Sequence, residues 1–192
     1  MSSNIDNIGI FFGTDTGTTR LIAKKIAKKL GDGLASKPLN VNRISPEDMM
    51  QYDALILGTP TYGFNQVPGI STGIKAGSWE EFLPQLADMD FSGKRIALYG
   101  LGNQEKYTNT FADSLFLLYQ FFSQRGAEMI GKCDTEGYNF EKSQSVTDGK
   151  FVGLVLDQQA QPLLTDQRID DWLAQVTPLL LEKLGDIKEA LA

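Results

Sequence analysis

The feature that most restricts the fold of this chain is the alternation of short apolar runs with amphipathic helical segments. Residues 5–12 and 53–58 are apolar enough for buried strands, and turn residues follow each run. Between these runs, Ile22, Ile26 and Leu30 recur at helical spacing among lysines. Strands that alternate with helices form a parallel sheet, because each crossover helix covers one face of that sheet.

The same alternation continues through the rest of the chain. Further strands are expected at residues 39–44, 95–99 and 127–130, and helices at 17–30, 46–51, 79–86, 111–125 and from 165 to beyond 175. The polar stretch 132–150 interrupts the fifth strand, which resumes at 151–155. We therefore predict an α/β fold with three layers, in which helices cover both faces of a doubly wound, five-stranded parallel sheet.

The whole chain, residues 1–192, is expected to form one domain, because its length supports one substantial core. The segment at 132–150 is interpreted as an insertion. The tail at 179–192 has two interpretations. Leu180, Leu184, Ile187 and Leu191 are spaced for an amphipathic helix, but a chain end of this kind can equally be frayed.

The composition excludes several classes of function. The chain has no histidine, which removes the commonest general base and the usual zinc ligand, so hydrolases and metalloenzymes are disfavoured. The net charge of −6 would repel nucleic acid and favours either basic protein partners or simple solubility.

The sequence also indicates where the protein works. No apolar run approaches the roughly 20 residues of a membrane-spanning helix, and the polar N-terminus lacks the features of a secretory signal. The single cysteine, Cys133, cannot form an internal disulfide, and we interpret it as a partly buried side chain and not as a reactive thiol. We expect a cytoplasmic protein with no membrane contact.

One local motif predicts a ligand. Residues 14–19, Thr-Asp-Thr-Gly-Thr-Thr, lie between the first strand and the first helix. Backbone N–H groups at the start of a helix carry partial positive charge, and hydroxyl groups donate further hydrogen bonds to phosphate oxygens. Because four of these six residues are threonines, we interpret the motif as a monophosphate site, with an ordinary hydroxyl-capped turn as the alternative.

Two other phosphate-binding motifs do not fit. The segment lacks the Gly-Lys-Ser/Thr ending of a nucleoside triphosphate P-loop, and Gly13 and Gly17 lack the Gly-x-Gly-x-x-Gly spacing of dinucleotide-binding folds. Ligands of open parallel sheets bind beyond the carboxyl ends of the strands. The loops at 13–19, 59–69 and 100–107 are therefore the ones expected to meet the ligand.

Several motifs of this chain resemble those of a known family. The motif at 14–19 is similar to the FMN-phosphate motif of flavodoxins, and segments across residues 5–177 resemble long-chain flavodoxins in the same order. These segments are Gly58-Thr59-Pro60-Thr61, residues 79–84, Gly100-Leu101-Gly102 with Tyr107, residues 135–138 and residues 148–154. The resemblance implies a sheet in the order 2-1-3-4-5, with the fifth strand split by the long-chain insertion and FMN bound where the winding reverses.

The resemblance also implies which residues hold FMN. The loop at 14–19 would hold the phosphate, and the flavin ring would lie between the second and third loops. Tyr62 stands where relatives place an inner-face tryptophan or leucine, Phe64 is the alternative, and Tyr107 stands at the outer stacking position. The complete cofactor-binding set implied is Thr14, Asp15, Thr16, Gly17, Thr18, Thr19, Thr59, Pro60, Thr61, Tyr62, Gly63, Phe64, Gly100, Leu101, Gly102, Asn103 and Tyr107.

A flavodoxin is a low-potential carrier of single electrons that cycles FMN between semiquinone and hydroquinone, so the resemblance implies an electron-transfer protein and not an enzyme. We hypothesise that the Gly63–Phe64 peptide flips to accept a hydrogen bond from flavin N5, because glycine tolerates positive φ. The alternative is an FMN-dependent NAD(P)H:quinone-type reductase, which would share the phosphate loop. A phospho-acceptor receiver is disfavoured, since strand three ends in Thr59-Pro60-Thr61 and not in an aspartate.

The family also implies redox partners. A flavodoxin or ferredoxin reductase is the expected donor, and the carrier itself is expected to be a monomer. The stretch at 63–77 is long, as in flavodoxins that feed nitrogenase, which suggests the nitrogenase iron protein as an acceptor. Asn103 departs from the family pattern, because many relatives carry an aspartate there, so one negative charge near the flavin is missing.

Overall fold

The computed structural model describes residues 7–14 and 17–191, with residues 186–191 described by their backbone alone. Nine strands and five helices lie in these ranges. The strands are β1 (Gly9–Phe12), β2 (Leu39–Asn40), β3 (Ala54–Thr59), β4 (Arg95–Leu101), β5 (Glu128–Ile130), β6 (Cys133–Asp134), β7 (Val146–Thr147), β8 (Lys150–Phe151) and β9 (Leu154–Leu156). The helices are α1 (Thr18–Leu30), α2 (Pro46–Met50), α3 (Trp79–Phe82), α4 (Asp113–Ser123) and α5 (Thr165–Leu191).

The central sheet confirms the predicted strand order. Its strands run parallel in the order β2-β1-β3-β4, and the fifth position is shared by two short strands. β5 pairs with the first half of β4, from Arg95 to Ala97, and β9 pairs with its second half, from Tyr99 to Leu101. The fifth strand is therefore split, as predicted, and β6, β8 and β7 form a small antiparallel sheet within the interruption.

Helices cover both faces of the sheet, which explains why β3 is continuously apolar. All six residues of β3 are buried, and successive side chains point to opposite faces. Leu55 and Leu57 pack in the core under α3 and α4, whereas Ala54 and Ile56 pack in the core under α1 and α5. This double coverage leaves the strand ends as the places where a ligand can approach.

Several elements are shorter than predicted. β2 ends at Asn40 because the Asn40 side chain accepts a hydrogen bond from the Asn42 N–H and turns the chain into a short 3₁₀ segment. α3 gives way to a 3₁₀ turn at Leu83–Leu86, where Pro84 lacks the N–H that a further α-helical turn needs. α4 begins only at Asp113, because Ala112 has a left-handed backbone, with φ of 55°.

The last helix includes the tail and continues to Leu191. Leu180 and Leu184 are buried in the core under α1 and α5, and the Arg95 side chain donates a hydrogen bond to the carbonyl oxygen of Leu179. The side chains of Ile187 and Leu191, which belong to the predicted apolar stripe, lie outside the described residues. Within the described ranges, no helix is both long enough and apolar enough to cross a membrane.

Candidate functional site

A cleft of about 480 Å³ opens at the carboxyl ends of β3, β4 and β9. We call it the main cleft. Residues from three loops and from the start of α1 surround it. Its lining residues are Thr18, Pro60, Thr61, Tyr62, Gly63, Leu101, Gly102, Asn103, Tyr107, Thr110, Ala112, Gln158 and Gln159. All three loops predicted from the sequence to meet a ligand therefore contribute to this cleft.

The start of α1 provides an electropositive end to the cleft. Gly17, at the N-cap, has φ of 92°, and no described side chain caps the helix there. The first turn contains no acidic residue. The Thr14 side chain bonds to its own loop, because its Oγ1 accepts a hydrogen bond of 3.0 Å from the Gly17 N–H. A helix N-terminus without a side-chain cap favours an anion, so this end of the cleft suits a phosphate group.

The other predicted residues of this loop are distributed unevenly. Thr18 lines the main cleft, whereas Thr19 is buried beneath it. Thr14 and Gly17 line a separate hollow together with Arg20 and residues 73–76. Asp15 and Thr16 lie outside the described residues.

Buried contacts fix both ends of this loop to the sheet. Before the loop, the Gly58 carbonyl oxygen accepts hydrogen bonds from the Gly13 N–H and from Trp79 Nε1. After the loop, the Tyr99 hydroxyl donates to the Thr19 carbonyl oxygen at 2.9 Å. Burial raises the pKa of Tyr99 well above its usual value, so the hydroxyl keeps its proton. Gly58 leaves room for this side chain, since a Cβ there would lie 2.0 Å from Tyr99 Cζ.

The second loop supplies an unpartnered polar group. The Thr61 hydroxyl oxygen is buried in the cleft wall and has no hydrogen-bond partner among the described residues. A buried hydroxyl without a partner is costly, so a bound polar ligand would satisfy it. Thr59 differs, because its hydroxyl donates to the Pro60 carbonyl oxygen below the cleft. The residues present therefore fit a ligand that brings its own hydrogen-bonding groups.

The tip of this loop is a tight turn. Gly63 has φ of +63°, and a Cβ on it would lie 2.2 Å from Gln66 Oε1. Tyr62 and Gln66 form an isolated antiparallel bridge across the turn. Tyr62 lines the main cleft, whereas Phe64 is 73% exposed and is not among the lining residues. Of the two aromatic candidates for the inner face of the ring, the described structure brings Tyr62 to the cleft.

The third loop forms the opposite wall. Leu101, Gly102 and Asn103 line the cleft, and the Asn103 carbonyl oxygen accepts a hydrogen bond from the Tyr107 N–H. Tyr107 is half exposed at the rim, with Lys106 Nζ 5.2 Å from the centre of its ring. Gly100, although predicted as a site residue, is buried inside β4 behind this wall.

Four lining residues were missed by the sequence reading. Thr110 and Ala112 extend the third loop toward α4, and Gln158 and Gln159 form a fourth loop after β9. A signal for the fourth loop was present, because the resumed strand at 151–155 must also end at the carboxyl edge of the sheet. The polar residues that follow such a strand are candidates for the same site.

A flat aromatic ligand with a phosphate group matches these features. The N-terminal end of α1 suits the phosphate, the aromatic side chains of Tyr62 and Tyr107 suit a ring, and the Thr61 hydroxyl suits a polar edge. None of the residues that line the described part of the cleft is a serine, cysteine, aspartate, glutamate, lysine or histidine.

Comparisons with known proteins place these features in a family. A family model described as "Flavodoxin" matches residues 10–172. Among curated proteins, a flavodoxin from Klebsiella pneumoniae is 47% identical over 175 residues, which are 91% of this chain and 99% of that protein. Flavodoxin 1 from Escherichia coli strain K12 is 40% identical over 170 residues, covering 88% of this chain and 92% of the relative.

Solved structures give the same result. The chain resembles the crystal structure of Fusobacterium nucleatum flavodoxin bound to flavin mononucleotide with a TM-score of 0.76 and 33% identity, over 96% of this chain and 98% of that one. A point mutant of the same flavodoxin, also bound to flavin mononucleotide, gives a TM-score of 0.80 and 35% identity, over 90% of this chain and 95% of that one.

Proposed function

Because the chain belongs to the flavodoxin family, we propose that it binds FMN non-covalently in the main cleft and carries single electrons between a reductase and acceptor enzymes. It is an electron-transfer protein and not an enzyme. The proposal treats residues 1–192 as one FMN-binding domain. The observation that carries it is the N-terminus of α1, where the described residues supply no side-chain cap and no acidic residue, beside a cleft lined by Tyr62 and Tyr107.

The residues of the chain bind and orient the cofactor. The N–H groups at the start of α1 and the hydroxyls of the 14–19 loop hold the phosphate, whose negative charge complements the helix dipole. Tyr62 and Tyr107 exclude water from the ring faces, and the Thr61 hydroxyl pairs with a polar edge. When bound, FMN supplies the redox chemistry, taking up and releasing electrons one at a time.

The protein environment controls how readily negative charge enters the cleft. The chain carries a net charge of −6, and its phosphate ligand adds to this, so an added electron meets repulsion that is stronger in a dry site than in water. The Gly63–Phe64 peptide is the proposed hydrogen-bond acceptor for flavin N5, a role supported by the positive φ of Gly63.

Binding and redox titrations test this function together. The purified apoprotein should bind one FMN per chain, and riboflavin more weakly, because riboflavin lacks the phosphate. Spectroelectrochemistry of the loaded protein should resolve two separate one-electron midpoint potentials. NADPH alone should reduce the loaded protein slowly. Protein that ignores FMN, or rapid reduction by NADPH without a partner, would contradict the proposal, and the second result would favour the reductase.

The proposed partners follow from the same family. We place the protein in the cytoplasm, where a flavodoxin or ferredoxin reductase would supply electrons to a monomeric carrier, and the nitrogenase iron protein is the proposed acceptor. The length of the 63–77 stretch supports this acceptor. Its exposed apolar side chains, Phe64 and Ile70, suit contact with a protein partner. The test is nitrogenase turnover with this reduced protein as the sole electron donor. Turnover no faster than without the protein would remove nitrogenase from the proposal.

A further inference from the structure

A buried carboxylate lies directly behind the main cleft. Asp157 is 1% exposed and follows β9, one residue before Gln158 of the cleft wall. Its Oδ1 accepts hydrogen bonds from the N–H groups of Gln159 and Ala160, at 3.0 and 2.8 Å. Its Oδ2 accepts from both the N–H and the Nε2 of Gln104, at 2.9 and 3.0 Å. One carboxylate therefore joins the third and fourth loops of the cleft.

The partner of this carboxylate connects it to the insertion. Gln104 is 2% exposed, and its Oε1 accepts a hydrogen bond from the N–H of Asn139. Both ends of the Gln104 amide are thus occupied, one by the fourth loop and one by the insertion. Asn103, the residue next to Gln104, lines the main cleft.

More hydrogen bonds hold the insertion against the third loop. The Thr108 carbonyl oxygen accepts hydrogen bonds from the N–H groups of Glu141 and Lys142, and the Glu141 N–H is shared with the Thr108 hydroxyl oxygen. The Ser145 hydroxyl donates to the carbonyl oxygen of Ala112, which itself lines the cleft. The insertion therefore packs against the third loop, which carries Tyr107, and supports this wall of the cleft.

The buried Asp157 carboxylate depends on hydrogen bonds and not on a cationic partner. In the described ranges no lysine or arginine lies within 4.0 Å of its carboxylate, so the charge is balanced by N–H donors. A buried charge held this way is stable only while every donor stays in place. The four donors come from two loops of the cleft wall, so a displacement of one loop relative to the other would stretch the hydrogen bonds between Gln104 and Asp157.

We propose that Gln104 and Asp157 are positioning residues for the flavin ring, and that through them the insertion at 132–150 sets the geometry of the cleft wall. This inference rests on the proposed binding of FMN. Neither side chain lines the cleft, so their effect passes through Asn103, Tyr107, Gln158 and Gln159.

Substitution of the glutamine tests the inference. Gln104→Met keeps the length of the side chain but removes both its donor and its acceptor. We expect the folded apoprotein to bind FMN about tenfold more weakly. A loss of this size corresponds to about one hydrogen bond that no longer holds the cleft wall in place. Riboflavin binding should weaken by the same factor, because the change affects the ring end of the cleft and not the phosphate end.

The matched control is Gln161→Met. Gln161 Nε2 also joins the loop after β9 to the insertion, by a 2.8 Å bond to the Gly137 carbonyl oxygen, but on the exposed side of the molecule. Its FMN affinity should stay within twofold of the wild type. Wild-type affinity in Gln104→Met, equal weakening in both variants, or weakening for FMN alone would each overturn the inference. Failure of the wild-type protein to bind FMN would refute the proposed function instead.

A measurement on the unaltered protein covers the case in which Gln104→Met does not fold. Because coupling between sites is reciprocal, FMN bound in the cleft should slow hydrogen exchange at the backbone amides that donate to the Asp157 and Gln104 side chains. These are the amides of Gln104, Asn139, Gln159 and Ala160. The exchange rate of the Asn139 amide is the decisive measurement, because Asn139 belongs to the insertion and does not line the cleft. An unchanged exchange rate there on saturation with FMN would overturn the inference.

Discussion

Two neighbouring aromatic residues on the second loop differ in their access to the main cleft. Tyr62 lines the cleft, whereas Phe64 is 73% exposed and is not a lining residue. We predict that Tyr62→Ala weakens FMN binding about tenfold, because the ring loses an aromatic contact and gains water on one face. Phe64→Ala is the matched control and should leave the dissociation constant unchanged. Quenching of FMN fluorescence measures both, and a larger effect for Phe64→Ala would reverse the assignment.

The cysteine lies outside the main cleft and is protected by its surroundings. Burial, and to a smaller extent the charge of Asp134, raises the pKa of the Cys133 thiol from 9.0 to about 12. At pH 8 its thiolate fraction is then roughly a thousandfold lower than that of an ordinary thiol. We predict negligible reaction of the native protein with a thiol reagent at pH 8 and full reaction in urea. Comparable rates in both conditions would contradict this protection.

The same pKa shift predicts a change of stability with pH. The folded state holds the Cys133 proton more tightly than the unfolded state, so this contribution is complete below about pH 9 and declines as the pH rises toward 12. Urea unfolding should therefore show a Cys133→Ser variant losing less stability than the wild type between these pH values. A parallel loss in both proteins would show that the thiol does not contribute.

At the scale of the element, α1 offers two glycines with a similar φ at its two ends. Gly17 has φ of 92° at the N-cap, and Gly31 has φ of 90° at the C-cap. An alanine at either position is strained, and each substitution should lower stability by roughly 1–3 kcal/mol. Only Gly17→Ala should lower the ratio of FMN affinity to riboflavin affinity, because only this end of α1 lies at the proposed phosphate site. An equal ratio of FMN to riboflavin affinity in both variants would show that the N-terminus of α1 does not bind the phosphate.

At the scale of the whole molecule, FMN binding should stabilise the fold. A ligand that binds only the folded state, at a hundred times its dissociation constant, adds about 2.7 kcal/mol. For a chain of this size that corresponds to a rise in Tm of roughly 5–10 °C. Riboflavin at the same concentration should raise Tm less, since it lacks the phosphate. Equal shifts for both ligands would argue against a phosphate site in the folded protein.

Local pattern and the family resemblance together predicted much of this molecule. The strand order implied by the family resemblance, the split fifth strand and the family itself are confirmed. Thr18, Tyr62 and Tyr107 reach the main cleft, as the position of their loops after parallel strands suggested. The binding roles of these residues stay predictions. Local pattern was less informative at Asn40 and Ala112, where a side-chain hydrogen bond and a left-handed backbone end elements that periodicity alone would extend.

The sequence by itself determined the alternation of strands and helices, and with it the edge of the sheet where a ligand could bind, because apolar periodicity is a property of neighbouring residues. Only the tertiary structure decided that Tyr62, and not Phe64, lines the cleft and that Asp157 accepts hydrogen bonds from Gln104, 53 positions away. Contacts of that separation leave no local pattern, since they exist only once packing has excluded water and made each buried polar group depend on one particular partner.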